Sequence, residues 1–414
     1  MGGFRINADR LWSTITETAR FGATGRGGLC RLALSDADRQ VRDWFREACE
    51  DAGCRVHVDA VGNMFARRAG RRAGVDPIAA GSHLDTQPTG GRFDGIVGVL
   101  AGLEVVRTLN DRGAQTEHPI EIVNWTNEEG ARFRSMLLGS GVFAGVYSPE
   151  FAYDQRDREG HRFGDELERI GYCGTAPCGR RRFASFFELH IEQGPVLEER
   201  GKTIGVVIGV QGMRWFEVDF TGMAAHAGTT PRAMRHDASV GAARFIETAF
   251  ALADSFGEAV RATTGVVEIR PGAPNVVPES ARLTLDLRHP SKQTLDAMEE
   301  ALRAALEEIS VGLGLRHEFV RVSSTPPVAF DAGCIQTVRE AAETTGFDYL
   351  ETVSGAGHDA VHVSRVAPTA MIFIPCASGV SHNERESASP EHVAAGAEVL
   401  LESVLRRDRR LASA

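Results

Sequence analysis

The first half of the chain alternates helix-like and strand-like patterns of apolar residues. A helical period of apolar residues lies between Ser35, a capping residue, and Gly53, a stop signal: Val41, Trp44, Phe45, Ala48 and Cys49. Short strands are predicted at 55–58, 63–67, 77–82, 120–125 and 186–191, and an apolar helix at 94–106. Strands that alternate with helices in this way are typical of a mainly parallel sheet covered by helices.

From about Gly212 the pattern changes to strict alternation of apolar and polar residues. It is clearest at 282–289, where three leucines alternate with polar residues, and 214–221 is similar. Alternation of this kind predicts antiparallel strands with one exposed face. Helices are predicted at 237–253 and 291–312 and a further strand at 316–323.

Helix and strand patterns of the first kind then return. They predict a helix at 332–345, a strand at 369–374, and a last helix with Ser389 as its cap and Pro390 at its first position. The 414 residues exceed what one hydrophobic core holds comfortably. We therefore predict an α/β fold: a larger domain from 1–211 and 330–414, with a mainly parallel sheet and helices on both faces, interrupted by a smaller α+β domain at 212–329.

Composition and charge argue against a membrane or nucleic acid as the partner of this protein. Hydrophobic residues make up 43% and charged residues 25%, as in an ordinary soluble globular protein, and no apolar run is long enough to predict a membrane partner. The net charge of −10 argues against nucleic acid as the main partner. The seven cysteines are scattered and the N-terminus lacks an apolar signal segment, so we expect a cytoplasmic protein with reduced thiols.

The candidate metal ligands of the larger domain are all predicted to lie at the same edge of its sheet. Five such residues follow or end its strands, where the carboxyl ends of parallel strands meet: His83, Asp94, Glu129, His190 and His382. Singly, such a histidine is more often a hydrogen-bonding residue, and a Glu–Glu pair is usually a charged turn. Together, three histidines and two carboxylates suit zinc or manganese, and a bridging carboxylate would support a pair of ions.

Longer motifs are spread over the whole chain: GSHLDT at 81–86, GGRFDG at 90–95, NWTNEEGARF at 124–133, GSGVFAG at 139–145, ELHIEQGP at 188–195, AHAGTTP at 225–231, PNVVP at 274–278, LDLRHP at 285–290, SGAGHDA at 354–360 and SHNE at 381–384. In these motifs the chain resembles the amidase/hydantoinase/carbamoylase family of dinuclear metallohydrolases. That family includes N-carbamoyl-L-amino-acid hydrolases, β-ureidopropionases and allantoate amidohydrolases, and it is related to zinc exopeptidases.

The resemblance implies roles for the two predicted domains and for the metal ligands. The larger domain would be catalytic, and 212–329 would be a lid through which a homodimer forms. Two divalent ions per subunit are expected, zinc as the first choice, with manganese, cobalt or nickel as alternatives. By motif position, His83, Asp94 and His190 correspond to the ligands of one metal, and Asp94 as the bridge, with Glu129 and His382, to those of the other.

The adjacent carboxylates Glu128 and Glu129 need different roles, since neighbouring side chains at a turn point apart. One can bind metal while the other faces the attacking water, and the general base of the family falls on Glu128. Related peptidases carry a carboxylate where His190 stands, so the histidine favours the carbamoylase branch. The stretch FRSM at 133–136 departs from the family pattern, which has a proline or small residues there.

The substrate contacts of the family match Gln193, His226, Asn275, Arg288 and Gly357. His226, from the lid, is expected to act in catalysis by stabilising the tetrahedral oxyanion. Arg288 lies on the polar face of its strand, where its guanidinium would bind the substrate carboxylate. From the residues alone, a salt bridge with Asp286 or Glu217 explains Arg288 better.

The expected activity is metal-dependent hydrolysis of a small ureido compound. The carbamoyl C–N bond of N-carbamoyl-L-amino acids or N-carbamoyl-β-alanine would be cleaved to give the amino acid, CO2 and ammonia. Allantoate amidohydrolase is the alternative within the same class. A catalytically inactive metal-binding scaffold is the second alternative, against which stands the presence of all five ligand positions and Glu128.

Overall fold

The computed structural model describes residues 4–413. The chain divides into two compact units, Met1–Ile208 with Phe330–Ala414, and Gly209–Ala329. The lid role of 212–329 stays a prediction, and the bounds of this segment lie close to those of the second unit. Within 4–413, no helix is both long and apolar enough to cross a membrane.

The strands, in chain order, are β1 Arg55–Val58, β2 Met64–Arg68, β3 Ile78–His83, β4 Ile120–Trp125, β5 Ser185–Ile191, β6 Ile204–Val210, β7 Gly212–Thr221, β8 Ala225–His226, β9 Arg261–Thr263, β10 Val267–Arg270, β11 Val276–Val277, β12 Ser280–His289, β13 Arg316–Thr325, β14 Val328–Ala329, β15 Tyr349–Ser354 and β16 Thr369–Ile374. The helices are α1 Ala8–Thr18, α2 Asp36–Asp51, α3 Ile96–Asp111, α4 Leu138–Phe143, α5 Pro149–Tyr153, α6 Phe163–Arg169, α7 Val196–Glu199, α8 Ala238–Ser255, α9 Lys292–Leu313, α10 Ala332–Thr345, α11 Asp359–Val363 and α12 Pro390–Ser413.

The larger sheet has a parallel centre and antiparallel margins. Its strands run in the order β1-β2-β4-β3-β5-β16-β6-β14, with β15 paired to β6. β3 is parallel to both β4 and β5, and β16 is parallel to β5. β2 is antiparallel to β1 and β4, and β16 is antiparallel to β6. The predicted α/β fold with a mainly parallel central sheet is confirmed, and the carboxyl ends of β3, β4 and β5 meet at one edge.

Helices pack on this sheet with the apolar faces that the sequence indicated. In α2 the Ser35 hydroxyl accepts the backbone N–H of Asp38 at 3.2 Å, and Val41 and Phe45 are buried. α3 is apolar on nearly all sides and packs against β3, β4 and β5. A Cβ at Gly98 would lie 2.3 Å from the carbonyl oxygen of Leu189, so the absence of a side chain there lets α3 lie directly on β5.

The second unit is built on a five-stranded antiparallel sheet in the order β10-β12-β7-β13, with β9 paired to β12. The alternating leucines Leu283, Leu285 and Leu287 of β12 are buried. They pack with apolar residues of α8 and α9 in a separate core. Burial stabilises each such side chain by about 1.5–3 kcal/mol relative to exposure.

Candidate metal centre

Two overlapping groups of side chains in the first unit could each hold a metal ion. One group is His83, Asp94 and His190, and the other is Asp94, Glu129 and His382; within each, the ligand atoms lie within 4.8 Å of one another. Asp94 Oδ1 lies 3.5 Å from His83 Nε2 and 3.2 Å from His190 Nε2. Its Oδ2 lies 3.5 Å from His382 Nε2. The two oxygens of one carboxylate thus face different groups, as a bridging ligand does.

Strand order explains why these residues meet. His83 is the last residue of β3, His190 lies near the end of β5, and Glu129 follows β4. These three strands are parallel neighbours, so their carboxyl ends lie at one edge of the sheet. Asp94 precedes α3, and His382 follows β16, which is parallel to β5.

Backbone carbonyls orient two of the histidine rings. His83 Nδ1 lies 2.9 Å from the carbonyl oxygen of Asp85, and His190 Nδ1 lies 2.9 Å from that of Ile191. A carbonyl oxygen only accepts, so each Nδ1 carries a hydrogen and each Nε2 faces Asp94. Two lone-pair-bearing ring nitrogens repel a buried carboxylate unless a positive charge lies between the nitrogens and the carboxylate. That charge can be a proton or a metal ion. The donor set therefore fits a divalent transition metal.

Glu128 lies beside the two groups, with Oε2 3.5 Å from His83 Nε2. The backbone N–H groups of Glu128 and Glu129 donate to the two carboxylate oxygens of Asp85, at 3.3 Å each, which orients this turn. Burial raises the pKa of Glu128 well above its ordinary value, and burial together with Asp94 raises the pKa of Glu129 to about 8. A cation bound at the neighbouring groups would lower both pKa values and favour the ionised form, which can accept a proton.

The stretch that departs from the family pattern leaves this turn intact. Asn127 has a φ of 55°, in the left-handed region that asparagine tolerates better than most residues. Its side-chain amide donates to the carbonyl oxygens of Phe133 at 3.1 Å and Ser135 at 2.9 Å. The FRSM stretch is thereby tied to the turn, and Glu129 stays in the ligand group.

Two of the predicted substrate contacts lie in the same unit. The amide nitrogen of Gln193 donates to Asp94 Oδ2 at 2.8 Å, and Gln193 has a φ of 57°. Its Oε1 is buried, and no donor among residues 4–413 reaches it, which leaves an acceptor at the metal centre. Gly357 is exposed in the loop before α11, and a Cβ there would lie 3.7 Å from Leu137 Cδ1.

His226 and Asn275 lie in the second unit and are held close together within it. β8 pairs with β11, which places His226 opposite Val276, and the backbone N–H of Ala227 donates to the carbonyl oxygen of Asn275 at 3.0 Å. His226 Nδ1 accepts the backbone N–H groups of Gly228 at 3.0 Å and Thr229 at 3.2 Å. In the neutral ring the hydrogen is therefore on Nε2, which makes that atom a donor.

Arg288 forms an ion pair with Asp286, one of the two salt-bridge partners that the sequence suggested for it. Its terminal nitrogen lies 2.8 Å from Asp286 Oδ2, and its Nε lies 3.2 Å from both oxygens of that carboxylate. The Arg288 side chain is 32% exposed. A role as carboxylate anchor stays a prediction.

Sequence reasoning missed several buried polar residues around the metal centre. Asp85 orients both the His83 ring and the Glu128–Glu129 turn. The ring of His358 lies 4.5 Å from that of His190, and Asp359 and Glu188 are fully buried close by. All four residues lie inside the quoted motifs, so the motifs could have pointed to them. Their spacing along the chain alone did not distinguish them from ordinary charged loop residues.

Comparison with known proteins places these features in a family. The profile of peptidase family M20/M25/M40 matches residues 79–406. The chain is 47% identical over 401 residues to an N-carbamoyl-L-amino-acid amidohydrolase of Rhizobium meliloti, covering 97% of this chain and 96% of that protein. It is 32% identical over 387 residues to an allantoate amidohydrolase of Bacillus subtilis, covering 92% and 93%. A crystal structure of an amidase of the hydantoinase/carbamoylase family from Burkholderia multivorans superposes with a TM-score of 0.95 at 50% identity, covering 98% of each chain.

Proposed function

The chain belongs to peptidase family M20/M25/M40, and from this premise we propose that it cleaves the carbamoyl C–N bond of an N-carbamoyl-L-amino acid or of N-carbamoyl-β-alanine. Its close relatives make it an amidohydrolase acting on linear amides, so the proposal concerns the substrate. The observation that carries the proposal is the pair of ligand groups joined by Asp94, with Glu128 beside them. Water adds to the ureido carbon, and the products are the amino acid, CO2 and ammonia.

Two metal ions, zinc or another divalent ion, would supply Lewis acidity toward the ureido oxygen and the attacking water. This help matters because two nitrogen atoms deactivate the ureido carbon. Glu128 accepts the proton of the water and passes it to the departing nitrogen; its burial and its 3.5 Å distance from His83 support this role. His226 donates from Nε2 to the oxygen that gains negative charge, in keeping with the hydrogen bonds that fix its Nδ1 as an acceptor.

The remaining side chains bind and orient the substrate. Gln193 offers its unpaired Oε1 to a ureido N–H, and Gly357 leaves space beside Leu137. Asn275 and Arg288 bind the carboxylate of the substrate, for which Arg288 exchanges part of its ion pair with Asp286. This assignment requires the second unit, of the same subunit or of a partner, to supply His226, Asn275 and Arg288.

A homodimer formed through the second unit is part of the proposal. β13 is a ten-residue edge strand of the second unit, and Val320 and Val322 on it are exposed. An edge strand presents unpaired backbone N–H and C=O groups that can pair with another strand. Light scattering coupled to size exclusion tests this: we expect a dimer for the wild type and a monomer for Val322→Lys, with Val366→Lys, at a similarly exposed valine of the first unit, as the control. A monomeric wild type would contradict the proposal.

Ammonia release from a panel of ureido compounds tests the substrate. The panel contains N-carbamoyl-L-amino acids with small, aliphatic and aromatic side chains, their D-enantiomers, N-carbamoyl-β-alanine and allantoate, each with zinc, manganese, cobalt and nickel. We expect kcat/KM to be highest for one of the N-carbamoyl amino acids. Preference for allantoate would support the alternative activity. Turnover of none of them by metal-loaded protein would favour the inactive scaffold.

A further inference from the structure

Glu386 links the loop that carries His382 to the residue that bridges the two ligand groups. Its Oε1 accepts the backbone N–H groups of Phe93 at 3.1 Å and Asp94 at 3.0 Å, and its Oε2 accepts the hydroxyl of Ser381 at 3.1 Å. Glu386 is only 5% exposed. One buried carboxylate thus receives donors from the loops on either side of the metal centre.

The fit around this carboxylate is tight. A Cβ at Gly91 would lie 2.1 Å from Glu386 Oε1, so this glycine lets the loop before Asp94 close on the carboxylate. The hydroxyl of Ser381 also lies 3.1 Å from Asp94 Oδ2. A hydroxyl has one hydrogen, so it can donate to only one of the two carboxylates at a time. Ser381 therefore couples the side chain of Asp94 to the link made by Glu386.

The orientation of His382 depends more on such a link than the orientations of His83 and His190 do. His83 and His190 are buried on core strands, and each ring has its own backbone acceptor. His382 lies in a loop, is 50% exposed, and has a φ of 53°. A residue in this backbone conformation keeps it only when the surrounding structure enforces it.

We propose that Glu386 is a positioning residue that holds Asp94 and His382 in register, so that the group formed by Asp94, Glu129 and His382 depends on it for metal affinity. The inference rests on the two-metal centre of the proposed function and adds a residue that acts through the ligands. Loss of a group that orients metal ligands typically lowers metal affinity or activity by about 10–100-fold.

The same loop contains a matched control. Glu384 Oε1 accepts the hydroxyl of Thr24 at 2.5 Å, and Arg26 lies 4.0 Å from its Oε2. Glu384 thus ties the loop to the N-terminal part of the chain, and within residues 4–413 these partners do not include a candidate metal ligand. If Glu386 only stabilised the loop in general, replacing either glutamate would have a similar effect on metal binding.

The test is zinc binding to metal-free protein, measured by calorimetric titration, with thermal unfolding to verify that each variant folds. For Glu386→Ala we expect the affinity of one of the two sites to fall about 10–100-fold and the other site to be kept. Glu386→Gln should retain most of the affinity, because its amide oxygen can accept both backbone N–H groups. Glu384→Ala should bind like the wild type.

Wild-type affinity of Glu386→Ala, an equal loss in Glu384→Ala, or an equal loss at both sites would overturn the proposal. If Glu386→Ala does not fold, Ser381→Ala decides: a weaker single site supports the proposal, and unchanged binding overturns it. No substrate is involved, so the result is separate from the proposed function. A wild type that binds two zinc ions but releases no ammonia would contradict the substrate proposal and leave the role of Glu386 standing.

Discussion

The metal centre of the first unit and the candidate substrate residues of the second unit are built in contrasting ways. His83, Asp94 and His190 are buried, stand at or beside core strands, and have partners that fix their orientation. His226 is exposed on a two-stranded sheet and Asn275 is exposed directly before it, and local backbone hydrogen bonds hold both segments. The candidate metal ligands are thus brought together by long-range packing, and the candidate substrate residues are held by short-range structure.

This contrast has an energetic cause. Several carboxylates and histidines packed together in the first unit are costly to bury unless a proton or a cation balances them. Such a cluster persists only where the surrounding fold is rigid. Residues that remain exposed to water carry no such desolvation cost. The charge of Arg288 is balanced by Asp286. The comparison therefore predicts larger effects for changes in the first unit than for changes in the second.

Removal of the metal ions should have the largest effect. A strong chelator is expected to abolish ureido hydrolysis, because Lewis acidity and the charge balance of the buried cluster are lost together. Addition of zinc, manganese, cobalt or nickel should restore activity to different extents. The measurement is ammonia release together with elemental analysis, with chelator followed by excess metal as the control. Full activity in protein shown to be metal-free would contradict the two-metal centre.

Replacement of Glu128 by Gln comes next. We expect kcat to fall about 10²–10⁴-fold, since the proton acceptor is lost, while the metal content stays normal. The neighbouring change Glu129→Gln is the matched control and should lose one metal ion. Kinetics combined with elemental analysis checks both. Metal loss in Glu128→Gln with full metal in Glu129→Gln would reverse the two roles.

In the second unit, His226→Ala should lower kcat by about 10²–10³-fold with little change in metal content, because a single oxyanion donor is removed. His236→Ala is the control, since His236 is also exposed in this unit and its Nδ1 lies 3.3 Å from the carbonyl oxygen of Leu313. Steady-state kinetics of the two variants measures the difference. Equal activity of the two variants would remove His226 from the catalytic residues.

Arg288→Ala should have the smallest of these effects. We expect a loss of about 2 kcal/mol in kcat/KM, roughly 30-fold, at the lower end for a charged partner because the guanidinium is partly exposed. Arg288→Lys should restore little, since an ammonium group lacks the planar fork. Arg282→Ala on the same strand is the control, because its ion pair with Asp219 is exposed and should matter little to activity.

The comparison of substrates sharpens this last prediction. Wild type and Arg288→Ala are each measured with N-carbamoyl-β-alanine and with its carboxamide. The carboxamide should react poorly with both and be nearly indifferent to the substitution. Equal fractional losses on the two substrates would reject Arg288 as the carboxylate anchor.

The sequence by itself determined the main elements and named the candidate metal ligands that the structure brings together. Helical periodicity identified α2, and strict alternation identified β12, because local patterns of burial follow directly from the geometry of helix and strand. The strand β6 escaped prediction: its run from Ile204 to Val210 is apolar throughout and carries Gly205 and Gly209, so no alternation marks it. The candidate ligands could be named because each lies in a quoted motif at or after a core strand.

Only the tertiary structure decided how these residues are held. That Glu386 reaches Asp94 and that Asp85 orients the Glu128 turn depend on contacts between segments far apart in the chain. A charged residue in a loop has the same appearance in a sequence whether it is solvated or buried. Its partner is set by strand order and by close backbone approach, which arise only when segments far apart in the chain pack together.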